Sequence, residues 1–150
     1  PHKRTLRITS SEDRLKMVQL AIKNNPSFKV LDIELKRKGP SYTVDTLRAL
    51  KKRFKGCIFY LILGADNLNI IGSWKEPKEV FSLAKVVFVA RPGFVLRRNS
   101  WSKKGILLKT SEIEISSSGI RERIKKGVSI RDRVPDSVEK YITKRRLYKK

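Results

Sequence analysis

The chain has 150 residues, 36 of them Lys or Arg and 14 Asp or Glu, a formal charge of +22, with 39% hydrophobic residues. The hydrophobic residues cluster, which excludes a disordered polycation and suits one domain over 1–150, with a C-terminal helical part at 116–150. The longest apolar run, residues 57–63, is too short for a bilayer, a single Cys excludes an internal disulfide, and a single His excludes a His-cluster metal site.

Turn signals cut the chain into short elements. Ser10 and Asp13 have capping-box spacing, and Leu15, Val18 and Ile22 follow as the stripe of an amphipathic helix ending near Asn24-Asn25-Pro26. Leu31, Asp32, Ile33, Glu34 and Leu35 alternate and predict a half-buried strand broken by Gly39-Pro40. Val44, Leu47, Leu50 and Phe54 mark a second helix closed by Gly56. The run 57–63 predicts a strand buried on both faces. Pro77, at a first helical position, precedes Val80, Phe81 and Ala84. Residues 85–90 predict another buried strand, stopped by Arg91-Pro92-Gly93, and residues 106–108 and 113–115 predict shorter ones. Ser116-Ser117-Ser118 opens a helix through Ile120 and Ile124 to Gly127, and a last helix runs from Pro135 through Val138, Tyr141 and Ile142.

Helices alternating with apolar strands predict an α/β fold, a mostly parallel sheet with helices on both faces. Ligands of such sheets sit beyond the carboxyl ends of the strands. Gly64-Ala65-Asp66, Arg91-Pro92-Gly93 and Ser116-Ser117-Ser118 are expected to meet in one crevice there.

Each candidate segment has two readings. Ser116-Ser117-Ser118 with Arg121 is either a plain helix cap with a surface cation or an anion site at a helix start. Gly64 and Asp66 form either a strand-ending turn or a place where a ribose meets backbone and carboxylate. Trp74, before Lys75, is either a lid on the core or a stacking platform for a flat heterocycle. In Gly39-Pro40-Ser41-Tyr42-Thr43, Ser41 or Thr43 caps the next helix or takes part in binding. His2 and Lys3 form a basic start that is usually solvated. Neither a G-x-x-x-x-G-K-[ST] nor a G-x-G-x-x-G loop is present.

The order of these segments is more specific than any of them singly. Pro1-His2-Lys3, Arg14-Leu15-Lys16-Met17, Gly39-Pro40-Ser41-Tyr42-Thr43-Val44-Asp45-Thr46-Leu47, Gly64-Ala65-Asp66 with Trp74, Arg91-Pro92-Gly93, Ile115-Ser-Ser-Ser-Gly-Ile-Arg121, Val134-Pro135 and Leu147-Tyr148 follow one another. This succession resembles the bacterial nicotinate-nucleotide adenylyltransferases along the whole chain. The resemblance implies a Rossmann-like nucleotidyltransferase fold and transfer of AMP from ATP to nicotinate mononucleotide, with Mg²⁺ accompanying ATP. It implies that Tyr42, Thr43, Trp74 and Lys75 bind nicotinate mononucleotide. Gly64, Asp66, Ser117, Ser118 and Arg121 would bind ATP, with Arg121 and Lys3 at the phosphates and no protein-held metal.

The chain departs from that family in two places. Family members begin with a strand and a Gly-x-Phe-Asp-Pro-x-His-x-Gly-His loop, and nothing here matches it. The first strand is therefore expected to be absent, and the chain alone to be nearly inactive and prone to associate. Ser118 stands where many relatives have Thr. Two alternatives use the same charge or fold: a basic nucleic-acid-binding module, disfavoured because no RNP-like run or zinc-finger spacing occurs, and an adenylyltransferase for another small phosphate acceptor. The expected setting is cytoplasmic, without membrane contact, and a homo-oligomer stays open.

Overall fold

The computed structural model describes residues 9–90, 99–110 and 115–149. Among them the chain forms helices α1 (Ser11–Ile22), α2 (Thr43–Arg53), α3 (Pro77–Leu83), α4 (Ser117–Lys125) and α5 (Asp136–Lys144), and strands β1 (Tyr60–Gly64), β2 (Lys85–Ala90) and β3 (Ile106–Lys109). It falls into two units, Arg37–Ile113 and a second made of His2–Lys36 with Glu114–Lys150. The expected strand at 113–115 and the Arg91-Pro92-Gly93 turn lie wholly or partly outside the described residues.

In the first unit β1, β2 and β3 pair in that order, both pairs parallel, with Ile62 opposite Val87 and Val87 opposite Ile106. Parallel pairing needs a crossover. Two short 3₁₀ turns, Ala65–Asn69 and Ile71–Ser73, and then α3 supply it between β1 and β2. Pro77 opens α3 where a missing N–H costs nothing. The core packs one sheet face: Val86 and Phe88 meet Val44 and Leu47 from α2, Leu68, Ile71 and Val80, with Leu61, Leu63 and Leu107 alongside. Phe88 is 0% exposed.

The opposite sheet face corrects the expectation for residues 57–63. Among the described residues β1 is an edge strand, and Ile58, Tyr60 and Ile62 are exposed, Ile62 at 70%. In the same register Ile106 and Leu108 on β3 are exposed as well. An unbroken apolar run says that both sides of a strand are hydrophobic; it does not say that both are covered.

In the second unit Ile130, Val138 and Ile142 form a small core with Met17, Leu20, Ile120, Ile124, Val134 and Leu147. The expected stripe of α1 is corrected at one position: Leu15 and Ile22 are half-buried, but Val18 is exposed, and Asp13, Met17 and Leu20 face inward. The expected cap of α1 is present, with the Asp13 amide donating to Ser10 Oγ at 3.0 Å and Ser10 Oγ donating to Asp13 Oδ2 at 2.8 Å. Asp13, 7% exposed, also accepts from Tyr141 Oη at 2.7 Å and Arg145 Nε at 3.3 Å, which ties α1 to α5.

Residues 31–35 are not a strand. The amides of Leu35 and Lys36 donate to the Asp32 carbonyl at 3.0 and 3.1 Å, closing a turn, and Lys36 Nζ meets the Asp32 carboxylate at 2.9 Å. Alternation favours a strand only where a neighbouring ladder exists, and among the described residues none pairs with this segment.

Candidate functional site

Helix α2 starts at Thr43 behind Tyr42, whose backbone is extended and whose side chain makes no cap. A Ser or Asn there would occupy a first-turn amide. The Tyr42 ring instead lies under Lys75, with Nζ 5.0 Å from the ring centroid. Lys75 Nζ donates to both oxygens of Asp45, at 3.2 and 3.1 Å. That bond holds the Asp45 carboxyl below the usual carboxylate range, with burial opposing it.

One turn further along α2, Arg48 reaches the start of α3. Its Nε donates to Glu79 Oε1 at 2.9 Å, and its Nη2 donates to Glu76 Oε2 and Glu79 Oε2. The bonds to Glu79 and then Glu76 raise the Arg48 value further, and the Arg48 bond holds Glu79 low. Trp74 packs partly buried on the same core as Tyr42, and its enclosed Nε1 has no hydrogen-bond partner among the described residues. The body of the indole is thus a lid on the core. Of the expected mononucleotide residues, Tyr42 and Lys75 touch, Thr43 opens the helix beside Tyr42, and Trp74 adjoins Lys75. Sequence reading missed the roles of Arg48, Glu76 and Glu79. The only local signal was an acid and a base, Asp45 and Arg48, one turn apart.

At the carboxyl end of β1, Gly64 makes room for Asp66. A Cβ at Gly64 would lie 2.4 Å from Asp66 Oδ1. Asn67 Nδ2 donates to the Gly64 carbonyl at 3.1 Å and to Asp66 Oδ1 at 3.4 Å, which fixes the turn. The glycine therefore serves a close approach, and the group that approaches is the chain's own carboxylate. Asp66 stays exposed.

In the second unit Ser116 is the cap of α4, its Oγ accepting from the Gly119 amide at 3.1 Å. Ser118 Oγ lies 3.2 Å from that hydroxyl. Ser117, Ser118 and Arg121 are exposed on the N-terminal half of α4. A cleft of about 170 Å³ is lined by Ile115, Ser116, Gly119, Ile120, Arg123 and Arg133, and Ser117, Ser118 and Arg121 are not among its lining. The two arginines were not singled out from the sequence. Arg123 also donates through Nε to the Ser129 carbonyl at 2.8 Å. Lys3 lies outside the described residues.

Among the described residues no three His, Cys, Asp or Glu side chains gather as a metal site, and no helix is long and apolar enough to cross a membrane.

The model of the cytidylyltransferase-like family matches residues 1–123. The chain is 41% identical over 148 residues to a probable nicotinate-nucleotide adenylyltransferase of Geobacillus thermodenitrificans, covering 99% of this chain and 67% of that protein. It is 41% identical to the protein of the same name from Streptomyces coelicolor, over 95% of this chain and 76% of that one. Among solved structures it is similar to Plasmodium falciparum nicotinic acid mononucleotide adenylyltransferase complexed with APC, with a TM-score of 0.74 and 24% identity over 95% of this chain and 78% of that one. That likeness supports the fold.

Proposed function

Because this chain belongs to the nicotinate-nucleotide adenylyltransferase family, within the cytidylyltransferase-like nucleotidyltransferases, we propose that it transfers AMP from ATP to nicotinate mononucleotide in the cytoplasm. The phosphate oxygen of the mononucleotide attacks the α-phosphorus of ATP. A new P–O bond forms, the bond to the β-phosphate breaks, and pyrophosphate leaves with the electron pair. The protein's task is to position the reactants and neutralise the charge that develops on the phosphates.

In this reading Thr43 and the Trp74–Lys75 backbone receive the pyridine carboxylate, and the exposed part of Trp74, with Tyr42, covers the ring. The observation that carries it is the start of α2. The Tyr42 side chain leaves the first-turn amides without a cap, and a helix start in that state favours an anion. Lys75 adds a cation beside it. Gly64 and Asp66 serve the adenosine, with Asp66 accepting from ribose hydroxyls. Ser117 and Ser118 offer hydroxyls to ATP, and Arg121, aided by Lys3, binds its phosphates. The described side chains do not gather into a cage for a resident ion. Mg²⁺ in this scheme is part of the substrate MgATP and screens its phosphate charge.

The test is a comparison of ligands by calorimetry and thermal shift. Nicotinate mononucleotide is expected to bind and raise the melting temperature, its amide to bind at least about tenfold more weakly, and phosphopantetheine not to bind. Equal binding of acid and amide removes the carboxylate subsite, and no binding of either overturns the substrate assignment.

A further inference from the structure

Segment 74–76 needs an external restraint. Glu76 has φ 49° and ψ 57°, a left-handed conformation that a residue with a Cβ adopts only when its surroundings impose it. Glu76 is the first residue before α3, yet its side chain makes no cap there. Its carboxylate points to Arg48 on α2, as does that of Glu79 from the first turn of α3. The residue before it, Lys75, is held by Asp45, three positions earlier on the same helix. Two consecutive residues of the corner are thus tied to one face of α2 by ion pairs of opposite sense, Lys75 cation to Asp45 and Glu76 anion to Arg48.

Arg48 Nη1 also donates to Asp45 Oδ1 at 3.2 Å, so the two α2 residues hold each other as well as the corner. A slide of the corner toward the end of α2 would bring Lys75 toward Arg48, and a slide toward its start would bring Glu76 toward Asp45, one like-charge contact in either direction. The same helix face begins at Tyr42, whose ring lies under Lys75. The start of α2 and the Trp74–Lys75 backbone are therefore set against each other by Asp45 and Arg48, with Tyr42 as the spacer.

We propose that Arg48 and Asp45 are positioning residues that hold the Trp74–Lys75 backbone in register with the start of α2, and so set the selectivity of this site for a planar aromatic carboxylate. The proposal rests on the nicotinate mononucleotide reading above and adds what makes that site selective. Neither residue need touch the ligand.

The variants are Arg48→Met, which keeps the stem and removes the fork, Arg48→Lys as the conservative partner, and Asp45→Asn. In the full chain, calorimetry with nicotinate mononucleotide is expected to show about tenfold weaker binding for Arg48→Met and Asp45→Asn, with recovery in Arg48→Lys. The preference for acid over amide narrows in the same two variants, and ATP binding stays within about twofold of the unaltered chain. Unchanged mononucleotide affinity in Arg48→Met overturns the proposal. So does parallel weakening of mononucleotide and ATP together with a matching fall in melting temperature, because that marks a merely structural ion pair.

A second readout needs no ligand. In a Trp101→Phe background Trp74 is the only indole, and Arg48→Met is expected to shift its emission to the red as the corner loosens. If the unaltered chain fails to bind nicotinate mononucleotide but this shift occurs, the substrate reading fails and the positioning role stands. An unmoved spectrum refutes the positioning role itself.

Discussion

The two units of the chain are held together by different physics. In Arg37–Ile113 the buried side chains carry no charge: Phe88, Val86, Val80, Leu68 and Ile71 are buried together, the buried Ser102 is neutral, and the ion pairs of Asp45, Lys75, Arg48, Glu76 and Glu79 sit at the surface. In the other unit the apolar core is small, and a nearly buried carboxylate, Asp13, joins α1 to α5 through Tyr141 and Arg145. A unit built on apolar area responds mainly to volume, and its part-exposed ion pairs at Asp45 and Glu79 add only a small loss of stability toward acid pH. A unit built around a buried charge responds to protons, because a carboxylate taken from water must keep every partner.

The largest test of that contrast is Phe88→Ala. Phe88 is 0% exposed and lies where β2 meets the helices. Truncating it removes apolar area and leaves a cavity, at a cost of about 3–5 kcal/mol. The urea midpoint is expected to fall by that equivalent at neutral and at acid pH alike. A loss that depends strongly on pH breaks the comparison.

Asp13→Asn sharpens it from the other side. The Tyr141 hydroxyl and then Ser10 hold the Asp13 carboxyl below its ordinary 3.8, and burial opposes them. A carboxylate whose folded value is lowered stabilises the fold above its unfolded value, and the contribution is lost as pH falls through the folded one. The Tyr141 phenol is pushed above its ordinary 10.0, first by its bond to Asp13. Its contribution is present below pH 10 and is lost as pH rises past the folded value. Asp13→Asn is therefore expected to destabilise less than Phe88→Ala at pH 7. Its midpoint should approach that of the unaltered chain as pH falls below 3.8 and through the lowered folded value. A gap that does not narrow as the pH is lowered through the acid range refutes the buried-charge account.

How far the sequence foretold this structure follows the same division. Local rules held where neighbours in sequence decide: the Ser10 and Ser116 caps, Pro77 at the start of α3, and the apolar stripes of α2 and α5. They failed where a distant partner decides. Residues 31–35 alternate like a strand but lack a ladder, and α1 faces inward through Met17 and Leu20 because Asp13 is drawn to Tyr141, 128 residues away. At the candidate site, Tyr42, Thr43, Trp74 and Lys75 were legible as chemistry-bearing types. The lock of Arg48 on Glu76 and Glu79 was not, since its partners are 28 and 31 residues apart and their types are common on any surface.

The smallest expected effect on stability belongs to the uncovered sheet face. Ile62 is 70% exposed on an edge strand, and Tyr60, Ile106 and Leu108 lie exposed on the same side. Ile62→Lys removes little buried area, so the urea midpoint is expected to move by less than about 0.5 kcal/mol. Its effect belongs to association: a charge at an exposed apolar edge opposes strand addition and weakens a hydrophobic patch. Light scattering at rising concentration should show less self-association than in the unaltered chain, and binding of a hydrophobic dye should fall. A destabilisation comparable to that of Phe88→Ala would mean that Ile62 is buried in solution, and the two faces of β1 would then be alike.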